Sequence, residues 1–132
     1  MFSAGALAAE VDFFSIGTND LTQYVMAADR GNAAVAALVD PLQPAVLAAI
    51  AATCRAAKAA GIPVGMCGEM AADPRLVPLL LGLGVSELSM SPPAIAAVKA
   101  AVRTTSLDDA RRIAKAALAA RSAGEVIGLL AG

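Results

Sequence analysis

Phe13-Phe14-Ser15-Ile16-Gly17-Thr18-Asn19-Asp20-Leu21-Thr22-Gln23-Tyr24 is the stretch on which the fold turns. Asp12–Thr18 is short, mostly apolar and rich in Phe and Ile, ending at Gly17, as a buried parallel strand reads. Leu21–Ala28 follows with helical composition. A strand that runs into a helix is one βα unit, and the rest of the chain repeats the pattern. Upstream, residues 3–10 read as the end of a helix.

Downstream, Asp40-Pro41 marks a turn, and Pro44 stands where a first helical turn tolerates proline. Ala45–Ala60 is a long alanine-rich helix closed by Gly61. Ile62–Met66 is a second strand, ending at Cys67-Gly68. Asp73-Pro74 opens a helix that runs to about Gly82 or Gly84, with Asp73 as its N-cap. Glu87–Met90 is a third strand, Ser91 caps the next helix, and Pro93–Val102 is helical. Ser106-Leu107-Asp108-Asp109 resembles a capping box with Asp in place of Glu or Gln. The helix it starts puts Leu107, Ala110, Ile113, Ala114, Ala117 and Leu118 on one face. A last helix covers about Gly124–Leu130.

Alternating strands and helices imply an α/β fold with a parallel sheet. Three βα units can be counted, whereas a complete (β/α)₈ barrel has eight in about 250 residues. The expectation is a single partial domain over residues 1–132, with about 103–132 as a C-terminal helical extension.

Composition narrows the function. Hydrophobic residues make up 58% and charged residues 16%, too apolar for a disordered chain. A net charge of −1 and few aromatic residues give no reason to expect a nucleic-acid partner. The most apolar windows, Ala33–Val39, Ala45–Cys54 and Leu76–Val85, fall short of the roughly 18–20 residues of a membrane span, so no membrane insertion is expected. Residues 1–10 lack the basic start of a signal peptide. Cys54 and Cys67 have neither metal-ligand nor disulfide-framework spacing, which makes a reducing, cytoplasmic setting the default. The chain has no histidine, which excludes histidine acid–base, metal-ligand and phosphohistidine chemistry within it.

The candidate residues cluster at strand ends, where βα barrels carry their chemistry. Gly17 allows a tight turn, Asn19 offers an amide to a phosphate oxygen, and Asp20 offers a hard carboxylate suited to Mg²⁺. The plainer alternative is that Asn19 and Asp20 only cap the following helix. Arg30, in Asp29-Arg30-Gly31-Asn32, suits bidentate binding of phosphate or carboxylate, or else is a solvated arginine at a helix C-terminus. Cys67, between glycines at a strand end, is a candidate acid or nucleophile, or else an inert thiol. Cys54 is assigned to packing and Glu69 no catalytic role. The charges from Asp108 to Arg121 read as a solvated face.

Four strings in this order, Phe13–Tyr24, Asp29–Asn32, Gly65-Met66-Cys67-Gly68-Glu69-Met70 and Glu87-Leu88-Ser89-Met90-Ser91-Pro92-Pro93, resemble the C-terminal barrel of enzyme I of the bacterial sugar phosphotransferase system. The resemblance runs from about Val11 to the chain end. It implies the last three βα units of a (β/α)₈ TIM-type barrel, plus C-terminal helices. It also implies phosphoryl transfer from phosphoenolpyruvate to a protein histidine, releasing pyruvate. On this resemblance Asn19 contacts the phosphoryl group, Asp20 binds Mg²⁺, Arg30 binds the phosphate, and Cys67 protonates the enolate carbon.

The family's phosphorylated histidine, the helices that dock its histidine phosphocarrier protein, further phosphate-binding arginines and a second Mg²⁺ ligand are expected outside these residues. The retained residues are a partial site, expected to be inactive alone. Pyruvate phosphate dikinase and phosphoenolpyruvate synthase share similar strings but match less fully. A non-catalytic dimerisation remnant is the rival from another class. Open strand edges imply that a homodimer partner or the missing part of the barrel covers the sheet.

Overall fold

The computed structural model describes residues 3–29 and 31–131. Three parallel strands, β1 (Phe14–Gly17), β2 (Val64–Cys67) and β3 (Glu87–Leu88), form one open sheet in the order β1-β2-β3. Phe14 pairs with Val64, Ile16 with Met66 and Gly17 with Cys67. Gly65 pairs with Glu87 and Met66 with Leu88. The third strand is shorter than the sequence suggests. Its neighbours still lie along β2: Ser86 N–H donates to the Val64 carbonyl at 2.9 Å and Ser89 N–H to the Met66 carbonyl at 2.8 Å.

The helices are α1 (Ala4–Leu7), α2 (Thr18–Met26), α3 (Pro44–Ala60), α4 (Glu69–Ala72), α5 (Val77–Leu83), α6 (Pro92–Thr104), α7 (Leu107–Ala119) and α8 (Ala123–Leu130). Pro44 starts α3 and Gly61 ends it in the left-handed conformation, as the sequence indicates. Asp73 caps a 3₁₀ turn, Pro74–Leu76, which leads into α5 rather than opening the helix directly. Ser106 accepts from Asp109 N–H at 3.1 Å and starts α7. Ser91 occupies the N-cap of α6 without a side-chain cap bond: Pro93 removes one of the two N–H groups a cap could use, and the other, that of Ala94, donates to the Ser91 carbonyl at 3.1 Å.

One face of the sheet is covered. Ile16, Val64 and Met66 are buried in a cluster with Leu47 and Ile50 of α3, Leu79 and Leu80 of α5, and Val126 of α8. The other face is bare, with Ser15, Gly17, Cys67, Glu87 and Ser89 exposed. On α7 the buried positions are Ala110, Ala114 and Ala117, while Leu107 and Leu118 of the expected apolar face are exposed. The reason is close approach: a Cβ on Gly82 of α5 would run into the Ala110 carbonyl, so only small side chains fit that contact. Among the described residues, no helix is long and apolar enough to cross a membrane.

Candidate active site

β1 passes into α2 without a loop. Gly17 is the N-cap of α2, and the helix begins at Thr18, ahead of the Leu21 start the composition suggests. Asn19 and Asp20 therefore sit inside the first turn and do not cap it. Among the described residues, neither side chain has a hydrogen-bond partner. Asp20 is exposed, in the first turn of the helix.

β2 ends beside this turn, with Cys67 in register with Gly17. The Cys67 thiol is exposed, and its Sγ lies 3.7 Å from the Ile16 carbonyl oxygen as a weak donor. Cys54 is buried in α3, where burial pushes its thiol up to about 11, against a smaller lowering by Arg55. The contrast between the two cysteines is the one their sequence contexts suggest.

Gly68 turns the chain away from Cys67 with φ 103° and ψ −171°, a region open essentially to glycine alone. A Cβ at Gly68 would stand 3.5 Å from Oδ1 of Asn19. The Asn19 side chain thus lies beside Gly68, the residue after Cys67, with Asp20 one residue further into α2. Arg30 lies outside the described residues.

Cys67 opens onto a cleft of about 350 Å³ on the bare face of the sheet, lined also by Phe13, Ser15, Gly65, Glu87 and Ser89. A cleft of about 360 Å³ lies between the Asp40–Leu42 segment, Glu69–Leu76 and the end of α8. Its lining is the more apolar of the two, and none of Asn19, Asp20 and Cys67 belongs to it. Of the three, only Cys67 lines the sheet-face cleft; Asn19 and Asp20 line neither. Among the described residues, no three His, Cys, Asp or Glu side chains are grouped to hold a metal ion. Asp20 supplies one hard oxygen donor, the right kind for Mg²⁺ but only part of a coordination shell.

Thr18 is a further residue of this turn, to which the motifs by themselves assign no role. Its side chain is fully buried, and Oγ1 donates to the Cys67 carbonyl at 3.2 Å. Thr22, also buried, donates to the Thr18 carbonyl at 2.7 Å. The available signal was a hydroxyl directly after a strand-ending glycine, between residues already singled out.

Residues 1–107 match the model of the PEP-utilising enzymes, in their PEP-binding domain. The chain belongs to this family. The matched segment contains all three strands and both strand ends described above. Among curated proteins, the chain is 57% identical over 129 residues to a phosphoenolpyruvate-protein phosphotransferase of Haloferax volcanii, covering 98% of this chain and 23% of that protein. It is 53% identical over 126 residues to a multiphosphoryl transfer protein of Rhodobacter capsulatus, covering 96% of this chain and 15% of that protein. It is 47% identical over 124 residues to the phosphoenolpyruvate-protein phosphotransferase of Haemophilus influenzae, covering 94% and 22% respectively. The chain thus spans less than a quarter of these relatives, and what it shares with the PEP-utilising enzymes is part of one domain.

Proposed function

We propose that the chain forms the last three βα units of the phosphoenolpyruvate-binding barrel in a phosphoenolpyruvate–protein phosphotransferase. The observation that carries this reading is the register of Gly17 with Cys67. It joins an amide and a carboxylate at one strand end to an exposed thiol at the next. The relatives above, which are phosphotransferases by name, favour it over the dikinase and synthase alternatives.

In the proposed reaction the phosphoryl group leaves the enol oxygen of phosphoenolpyruvate for a histidine nitrogen outside these residues. The Asn19 amide donates to a phosphoryl oxygen, and Arg30 holds the phosphate. The Cys67 thiol gives its proton to the methylene carbon of the enolate, which becomes the methyl group of pyruvate. Asp20 would hold Mg²⁺, which when bound neutralises charge on the phosphoryl oxygens. The bare sheet face would be covered by the rest of the barrel or by a second copy. The proposed setting is the cytoplasm, which suits the two free thiols.

A segment exchange tests the reading. These 132 residues replace the matching segment of the Haloferax volcanii relative, and transfer from phosphoenolpyruvate to the relative's histidine is followed. Activity in the chimera is expected. In its Cys67→Ala form pyruvate formation should slow by about 10²-fold or more, the usual scale for a lost general acid. A folded chimera that transfers no phosphoryl group would count against the assignment. The chain alone, having no histidine, should stay unlabelled by phosphoenolpyruvate.

A further inference from the structure

We propose that Thr18 is a positioning residue for Cys67, acting through a hydrogen bond between strand ends. The inference rests on the reading of Cys67 as the proton donor.

A buried threonine in a helix usually satisfies its hydroxyl on the carbonyl four residues back. Thr22 does so, on Thr18, at 2.7 Å. Thr18 is the first residue of α2 and has no preceding helical turn to use. Its hydroxyl reaches across to the neighbouring strand instead and donates to the Cys67 carbonyl at 3.2 Å. The side chain is fully buried, so this bond is one the fold must supply.

The surrounding geometry points the same way. Oγ1 of Thr18 lies 2.6 Å from the place a Cβ on Gly68 would take. The glycine therefore makes room for the hydroxyl, and the hydroxyl fixes the peptide that joins Cys67 to Gly68. With that peptide held, the Cys67 Sγ rests against the Ile16 carbonyl at 3.7 Å, and its direction is set by β1 as well as β2. Thr18 touches neither substrate nor thiol in this scheme. It aims the residue that does.

Cysteine labelling tests this, with Cys54 as an internal reporter. Cys54 is buried, so its labelling follows opening of the fold as a whole. The chain and its Thr18→Val, Thr18→Ser and Thr22→Val forms are treated briefly with iodoacetamide, and each cysteine is quantified by peptide mapping. Thr18→Val should raise labelling of Cys67 about fivefold, the scale of one lost hydrogen bond, without raising that of Cys54. Thr18→Ser keeps the hydroxyl and should restore the parent rate. Thr22→Val removes a neighbouring buried hydroxyl and should leave Cys67 unchanged. An unchanged Cys67 rate in Thr18→Val, an equal rise at both cysteines, or an equal effect of Thr22→Val would each overturn the proposal. None of these results touches the proton-donor reading, which is judged by pyruvate formation in the chimera.

Discussion

Gly68 and Thr18 share one space: the Cβ that Gly68 lacks would stand 2.6 Å from Oγ1 of Thr18. The backbone at Gly68 is also in a region that other residues enter only with strain, at φ 103°. Both effects act against any side chain. Gly68→Ala should destabilise the chain by about 1–3 kcal/mol, measured by urea unfolding. It should also alter iodoacetamide labelling of Cys67, whose carbonyl Thr18 holds. A variant as stable as the parent would show that the turn after β2 is soft.

Gly82 should be the least replaceable glycine in the helical layer. Its Cβ would collide with the Ala110 carbonyl and stand 2.8 Å from the Ala114 Cβ. Gly82→Ala should cost about 3 kcal/mol, toward the upper end for overpacking. Because the main clash is with backbone, adding Ala114→Gly should recover little of the loss. Full recovery in the double variant, read by thermal and urea melts, would place the clash in the side chains instead.

Ser86 fastens β2 where β3 is too short to do so. Its Oγ accepts from Val64 N–H at 2.9 Å and donates to the Val64 carbonyl at 3.0 Å. Val64 is 2% exposed, so without the hydroxyl its N–H has no water to turn to. Ser86→Ala should cost about 1–3 kcal/mol and speed exchange of the Val64 amide. A loss below about 0.5 kcal/mol, the range of ordinary surface changes, would sink the idea.

Asp73 carries an acid-side dependence. Its carboxylate is held below the usual range of 3.8, chiefly by the hydrogen bond from the Arg75 side chain, against some opposing burial. The unfolded chain binds this proton more tightly than the folded one. The contribution is therefore complete above the unfolded value and fades as pH falls through the lower folded value. Arg75 is mostly exposed, so the size should stay below about 1 kcal/mol. Asp73→Asn keeps an oxygen for the Arg75 N–H. It should flatten the slope of stability against pH below about pH 4, match the parent at the acid end, and lose that same contribution, below about 1 kcal/mol, at pH 7. An unchanged acid slope would assign that slope to other carboxylates.

Association should be governed by the sheet's bare side and edges more than by its core strands. Ile16, Val64 and Met66 are already buried by the chain's own helices, whereas Phe13 is 62% exposed. β1 and β3 each have an open edge, which invites pairing. Sedimentation equilibrium should show concentration-dependent association, weakened by Phe13→Ser. A compact monomer across the whole range, with a concentration-independent melt, would show that the three units suffice by themselves.

Much of this was legible in the sequence because it depends on local chemistry. Gly17 and Cys67 close apolar runs, Pro44 and Gly61 bracket a helix, and Ser106 with Asp109 starts another; each uses neighbours a few residues away. The alternation of strands and helices fixes a parallel sheet for the same reason. Four short motifs in order are enough to indicate the family. The rest depends on what distant segments do to each other. That Asn19 and Asp20 lie within a helical turn and do not cap it follows from where α2 begins against the end of β2. The small face of α7 is decided by Gly82, which lies nearly thirty residues earlier in the chain. The Thr18 hydroxyl is bound to a carbonyl 49 residues away. A hydroxyl's partner is chosen by distance and direction in space, and only the folded chain sets those.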